Sequence, residues 1–153
     1  MRKRVVVTGM GCISPVGNTV EETWSALLAG KSGAGAITHF DSSKHKTRFA
    51  AEVKGFDAVS VFGAREARKM DRFTQFALLT AAQALDHAGL RIDDSNRDRV
   101  GALIGTGIGG VATGSGIVTT ATAGSSGWPF MATNAAPPAA SSSDSASNWV
   151  VIR

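Results

Sequence analysis

Charge nearly stops at residue 110. Of 16 Lys and Arg side chains only Arg153 lies beyond it, and of 12 Asp and Glu only Asp144. Residues 111–153 are mostly Ala, Ser, Thr and Gly and carry neither helical nor strand period over any length. Apart from Trp128, Phe130 and Trp149 they hold little apolar surface to offset the entropy of ordering. A core must therefore come from the first part, and the tail is predicted to be largely irregular.

The totals suit one ordinary domain. The chain has 153 residues, 43% apolar and 18% charged, which are globular rather than disordered values. Net charge of +4 and a pI near 9.7 suit an anionic partner such as nucleic acid, a membrane surface or an acidic protein, but the excess is too small to choose among them. Cys12 is the one cysteine, which excludes an internal disulfide and a multi-cysteine zinc site. At the N-terminus the apolar run Val5–Val7 is cut by Thr8 and Gly9, far short of a signal peptide, and no window approaches a membrane span. The expectation is a soluble cytoplasmic protein without a membrane or nucleic-acid partner.

Within residues 1–110 strand and helix signals alternate, which predicts an α/β architecture. "RVVVTG", residues 4–9, reads as a β-branched strand closed by Gly9. Asn18 or Thr19 can cap a helix, and Thr19 with Glu22 has capping-box spacing. Trp24, Leu27 and Leu28 then form one apolar face before Gly30 ends the helix. "TRFAAEV", 47–53, fits a strand and "AREARKM", 64–70, a short helix. Asp71 can cap a longer one, with Phe73, Phe76, Ala77, Thr80, Ala81, Ala84, Leu85 and Ala88 in a stripe and Gly89 beyond its end. "VGALIG", 100–105, is a continuous apolar run suited to a parallel strand buried on both faces.

Two glycine-rich turns invite a dinucleotide reading. Gly105, Gly107 and Gly110 spell G-x-G-x-x-G, yet the next carboxylate after Gly110 is Asp144, too distant for the ribose. Gly9 and Gly11 are followed by Ser14 in place of a third glycine, and Ala29 stands where the acid belongs. Both read better as structural turns or close backbone approaches. Cys12 as a nucleophile needs a base or a helix N-terminus beside it, and no histidine is near in sequence; a small apolar filler is the preferred reading. His39, His45 and His87 share no metal or triad spacing and read as surface residues. The basic cluster is more informative. Arg65, Arg68, Lys69 and Arg72 share one face if a helix runs unbroken through Asp71. It is either a solvated face, with Glu66 and Asp71 interspersed, or a docking surface for an acidic helix or a phosphate. No interleaved aromatic residues suggest base stacking.

Taken in order, "RVVVTGMGCISPVGN", "WSALLAGKSG", "ITHFD", "TRFAAEVKGFD", "ARKMDRFTQFAL", "AQALDHAGL" and "RVGALIGTGIGG" resemble the N-terminal part of the β-ketoacyl-acyl-carrier-protein synthases, above all the type II enzymes of bacterial fatty-acid synthesis. The resemblance covers residues 1–112 and leaves 113–153 as a tail without counterpart. It implies part of a thiolase-like fold, with sheets between helix layers in αβαβα order, and a homodimer. It implies a decarboxylative Claisen condensation: a cysteine at a helix N-terminus takes the acyl group from acyl carrier protein as a thioester, and two histidines assist decarboxylation of the malonyl thioester. No cofactor and no metal are implied.

Carried onto this sequence, the resemblance implies a docking patch for acyl carrier protein at Arg65, Arg68 and Lys69, and an acyl-pocket wall at Ile108. It supplies no catalytic residue. The family presents its nucleophile in a Thr-Ala-Cys segment, whereas "TTATAG", 119–124, has no cysteine, and neither catalytic histidine has a counterpart. The expectation is a truncated synthase, inactive alone and poorly soluble, with a frameshift after Gly110 favoured over a pseudogene product or a truncated paralogue as the origin of its ending. A non-catalytic carrier-binding module and a fragment from a polyketide pathway are the alternatives.

Overall fold

The computed structural model describes residues 4–106 and the backbone of a short strand at 148–151. Its elements are β1 (Met10–Ile13), α1 (Val20–Leu28), β2 (Gly35–Ala36), β3 (Phe49–Ala50), α2 (Ala58–Phe62), α3 (Ala64–Ala67), α4 (Arg72–His87), a 3₁₀ turn at Arg97–Arg99 and β4 (Asn148–Val151). The described residues are thus mixed helix and strand.

The centre is β1 lying on α4. Two glycines allow the approach: a Cβ on Gly11 would overlap the Thr80 carbonyl, and one on Gly9 would overlap that of Ala84. Opposite them α4 presents only small side chains, and Thr80 and Ala84 are completely buried. The Thr80 hydroxyl donates back to the carbonyls of Phe76 and Ala77, so no polar atom is stranded there. Side chains lock the same contact. Cys12 N–H donates to Gln83 Oε1 at 3.0 Å, while Gln83 Nε2 donates to the Asn18 carbonyl at 2.7 Å. Met10 N–H donates to His87 Nδ1 at 3.1 Å, which requires the unprotonated face of that ring.

The helix ends follow the local signals. Thr19 is the N-cap of α1 and its hydroxyl accepts from Glu22 N–H; the Glu22 carboxylate returns to Asn18 N–H, one residue before the usual capping-box partner. Both long helices close with six-to-one and five-to-two bonds around a left-handed glycine. At α1, Lys31 N–H reaches Ala26 and Gly30 N–H reaches Leu27; at α4, Leu90 reaches Leu85 and Gly89 reaches Asp86. Leu90 also packs against Ala84, the apolar contact that accompanies such a cap.

Several expectations are corrected. Residues 4–9 form no strand, and Val5, Val6 and Val7 are exposed; the ladder begins at Met10, where the chain first gains both α4 and a partner strand. Trp24, Leu27 and Leu28 do not face the core. They are exposed, and Thr23 and Ala26 are the buried pair of α1. The 47–53 strand shrinks to Phe49–Ala50, paired antiparallel with Gly35–Ala36. Residues 100–105 join no ladder, and Leu103 is 70% exposed. The expected parallel sheet is absent among the described residues: both sheets are two-stranded and antiparallel. Parallel pairing needs a crossover that returns a second strand beside the first, and among the described residues the strand beside β1 is the antiparallel β4. Within the tail, β4 pairs with β1 in the register Met10 to Val151 and Ile13 to Asn148; the rest of the tail lies outside the described residues.

Candidate functional site

The basic cluster sits on a tight helix–turn–helix run. Asp57 caps α2 by accepting from Val59 N–H at 2.9 Å, and α2 ends at Gly63, whose φ of 78° turns the chain directly into α3. Arg65 lies in α3, Arg68 is its C-cap, and Lys69 follows in the turn before Asp71, the N-cap of α4. The cluster is therefore not one continuous helical face. A break at Arg68–Asp71 separates Arg72 from the other three cations.

That break gives the four cations two jobs. Arg65 projects with its side chain 87% exposed, Lys69 is 55% exposed, and Arg68 is exposed and outside the ion pairs that Glu66 makes with the other two. Arg72, also exposed, lies back across two rings: its guanidinium carbon is 5.5 Å from the Phe56 ring centre and 5.1 Å from that of Phe76, with Nη2 donating to the Val53 carbonyl. The two rings meet edge to face at 5.0 Å. Arg72 thus fastens α4 to the 53–56 segment.

Two further residues shape this surface, and of these the sequence marks only Glu66, as a break in the positive face. Gln75 is buried, and its Nε2 donates to the carbonyls of Ala67 at 2.9 Å and Met70 at 3.1 Å, anchoring both ends of the turn that carries Arg68 and Lys69. A glutamine within an amphipathic helix gives no sequence signal for such a role. Glu66 sits among the cations, with Oε1 2.9 Å from Lys69 Nζ and 4.0 Å from Arg65 Nε. The Lys69 hydrogen bond, then its charge, holds the Glu66 carboxyl below the ordinary carboxylate range.

The other candidates take quieter places. Cys12 is buried, with Sγ 3.7 Å from the Thr23 hydroxyl, which also contacts Ser14 Oγ at 2.9 Å and donates to the Gly17 carbonyl. It fills space between β1 and α1. His39 lies 3.9 Å from Glu52, His45 packs its ring against Phe40, and His87 holds Met10. An open groove of about 390 Å³ beside the β2–β3 hairpin is lined by Thr38, His39, Glu52 and Lys54 among others, and the Glu52 carboxylate there is already engaged by Thr38 N–H and Oγ1. Among the described residues no group of three or more His, Cys, Asp and Glu side chains could hold a metal, and no helix is long and apolar enough to cross a membrane. Ile108, Gly107 and Gly110 lie outside the described residues.

Residues 2–146 match the family described as beta-ketoacyl synthase, N-terminal domain. The chain belongs to the β-ketoacyl synthase family. A 3-oxoacyl-acyl-carrier-protein synthase 2 of Vibrio cholerae is 53% identical over 110 residues, 72% of this chain and 27% of that protein. Proteins of the same name from Synechocystis and from Staphylococcus aureus are 50% and 46% identical, over 72% of this chain in each case. The chain spans about a quarter of the length of these relatives. Among solved structures, the ishigamide ketosynthase/chain length factor superposes with a TM-score of 0.55 at 41% identity, over 61% of this chain and 23% of that one.

Proposed function

We propose that this β-ketoacyl synthase chain supplies the carrier-docking face of a condensing enzyme of fatty-acid elongation. The observation that carries the reading is the exposed trio Arg65, Arg68 and Lys69 on a turn anchored by Gln75. Three cations on a fixed surface suit an acidic helix, and long-range attraction speeds encounter more than it deepens affinity. In this reading acyl carrier protein docks there, its acyl thioester reaches a pocket that Ile108 lines, and malonyl thioester is the co-substrate. The chain forms the first part of a layered thiolase-like fold whose complete form is a cytoplasmic homodimer.

The condensation itself needs a thiolate and two histidines that this chain does not bring together. Cys12 is its one cysteine and is enclosed between β1 and α1. The chain alone is accordingly inactive. The test is a titration of the purified chain with fluorescently labelled acyl carrier protein. Binding at low salt, weakened by added salt and lost in the Arg65→Glu, Arg68→Glu double variant, is the expected result. Absence of any binding by the unsubstituted chain at low salt ends the docking reading. Appearance of a 3-oxoacyl product from acyl and malonyl carriers ends the inactive one.

A further inference from the structure

We propose that Glu66 is a built-in competitor for the basic patch, lowering its affinity for acidic partners by holding Lys69 and shading Arg65. The inference rests on the carrier-docking reading but concerns the patch's own regulation.

Glu66 is the carboxylate in the middle of the surface, one residue from Arg65 and three from Lys69. Its Oε1 accepts from Lys69 Nζ at 2.9 Å and approaches Arg65 Nε at 4.0 Å, so one oxygen serves both cations. The Lys69 bond and charge favour its ionised form. Arg68, by contrast, is exposed and takes no part in the Glu66 pairs. An acidic helix arriving at this surface meets Arg68 unencumbered, but must displace Glu66 to use Lys69 fully. Exposed pairs of this kind are weak, so the competitor is adjustable rather than blocking. Glu66 also lowers the local charge from three cations to a net of two, which damps steering of an anionic partner.

The test compares the unsubstituted chain with Glu66→Gln, and each with its Lys69→Met counterpart, using labelled acyl carrier protein and, separately, a hexaglutamate peptide at low salt. Glu66 is half exposed and outside the core, so its replacement leaves the fold intact. The expected result is binding about two- to five-fold tighter for Glu66→Gln, from the usual strength of an exposed pair. Most of that gain should vanish in the Lys69→Met background. Equal or weaker binding of Glu66→Gln to the probe that does bind overturns the competitor role, since it makes Glu66 an aligner of Lys69. Tighter binding to hexaglutamate with none to the carrier retains the competitor role and removes the carrier as its partner. Failure of all variants to bind either probe removes both readings.

Discussion

α1 and α4 read alike in sequence and pack in opposite ways. Each follows a residue of capping type, though only Thr19 makes the side-chain cap bond; each ends at a left-handed glycine, and each carries a stripe of apolar residues at helical spacing. In α4 the centre of the stripe is buried, from Phe76 through Ala77 and Thr80 to Ala84. In α1 the large residues Trp24, Leu27 and Leu28 are 60%, 54% and 70% exposed, while Thr23 and Ala26 face inward. Where Gly9 and Gly11 bring the chain onto α4 no room exists for a leucine, and the inner face goes to Thr80 and Ala84; α1 instead meets Cys12 and the Ser14–Gly17 turn through the small Thr23. Size at the contact, more than hydrophobicity, selects the buried side.

The largest effect should come from spoiling the close approach at β1. Gly11→Val puts side-chain atoms into the Thr80 carbonyl, and overpacking of this severity should cost about 3 kcal/mol or more, measured as a lower denaturation midpoint. A variant as stable as the parent would show that β1 does not lie on α4. Next, Gln75→Leu removes the donor from the Ala67 and Met70 carbonyls; a loss of about 1–3 kcal/mol is expected from leaving such groups unpaired. Weakened carrier binding should accompany it, because the turn bearing Arg68 and Lys69 loosens.

On the inner face of α1, Thr23→Val deletes a hydroxyl shared among Ser14, Gly17 and Cys12. About 1 kcal/mol should be lost. On its outer face, Trp24→Ser should change stability by under about 0.5 kcal/mol while raising the solubility limit. A cost for Trp24→Ser above that for Thr23→Val would reverse the assignment of the two faces. The smallest effect lies away from both helices. The Glu52 carboxyl is held below its ordinary value of 4.5, first by the Thr38 hydroxyl. A lowered folded value means its contribution is complete above the unfolded pKa and disappears as pH falls through the folded one. Amide protection factors at the β2–β3 hairpin, referred to the intrinsic exchange rate at each pH, should therefore fall on acidification below 4.5, and Thr38→Val should flatten that dependence.

Much of this was legible without coordinates. The N-cap at Thr19, the stops at Gly30 and Gly89, and the span of α4 follow from side chains that bond within a few residues of themselves. Arg65, Arg68 and Lys69 are also readable as a basic cluster, from residue types and spacing. Their division from Arg72 was not, because it depends on Phe56 and Phe76 meeting from different segments. Gln75 gave no signal for a similar reason: its partners are carbonyls of a turn.

The sequence by itself determined where α1 and α4 begin and end, which part of the chain is charged, and the family to which it belongs. Tertiary structure decided that Val5–Val7 and 100–105 stay outside the ladders, that β4 pairs with β1, and which face of α1 is inner. The reason is range. Caps and left-handed glycines are settled by bonds across one helical turn, whereas strand pairing and burial depend on what distant residues bring to the same place.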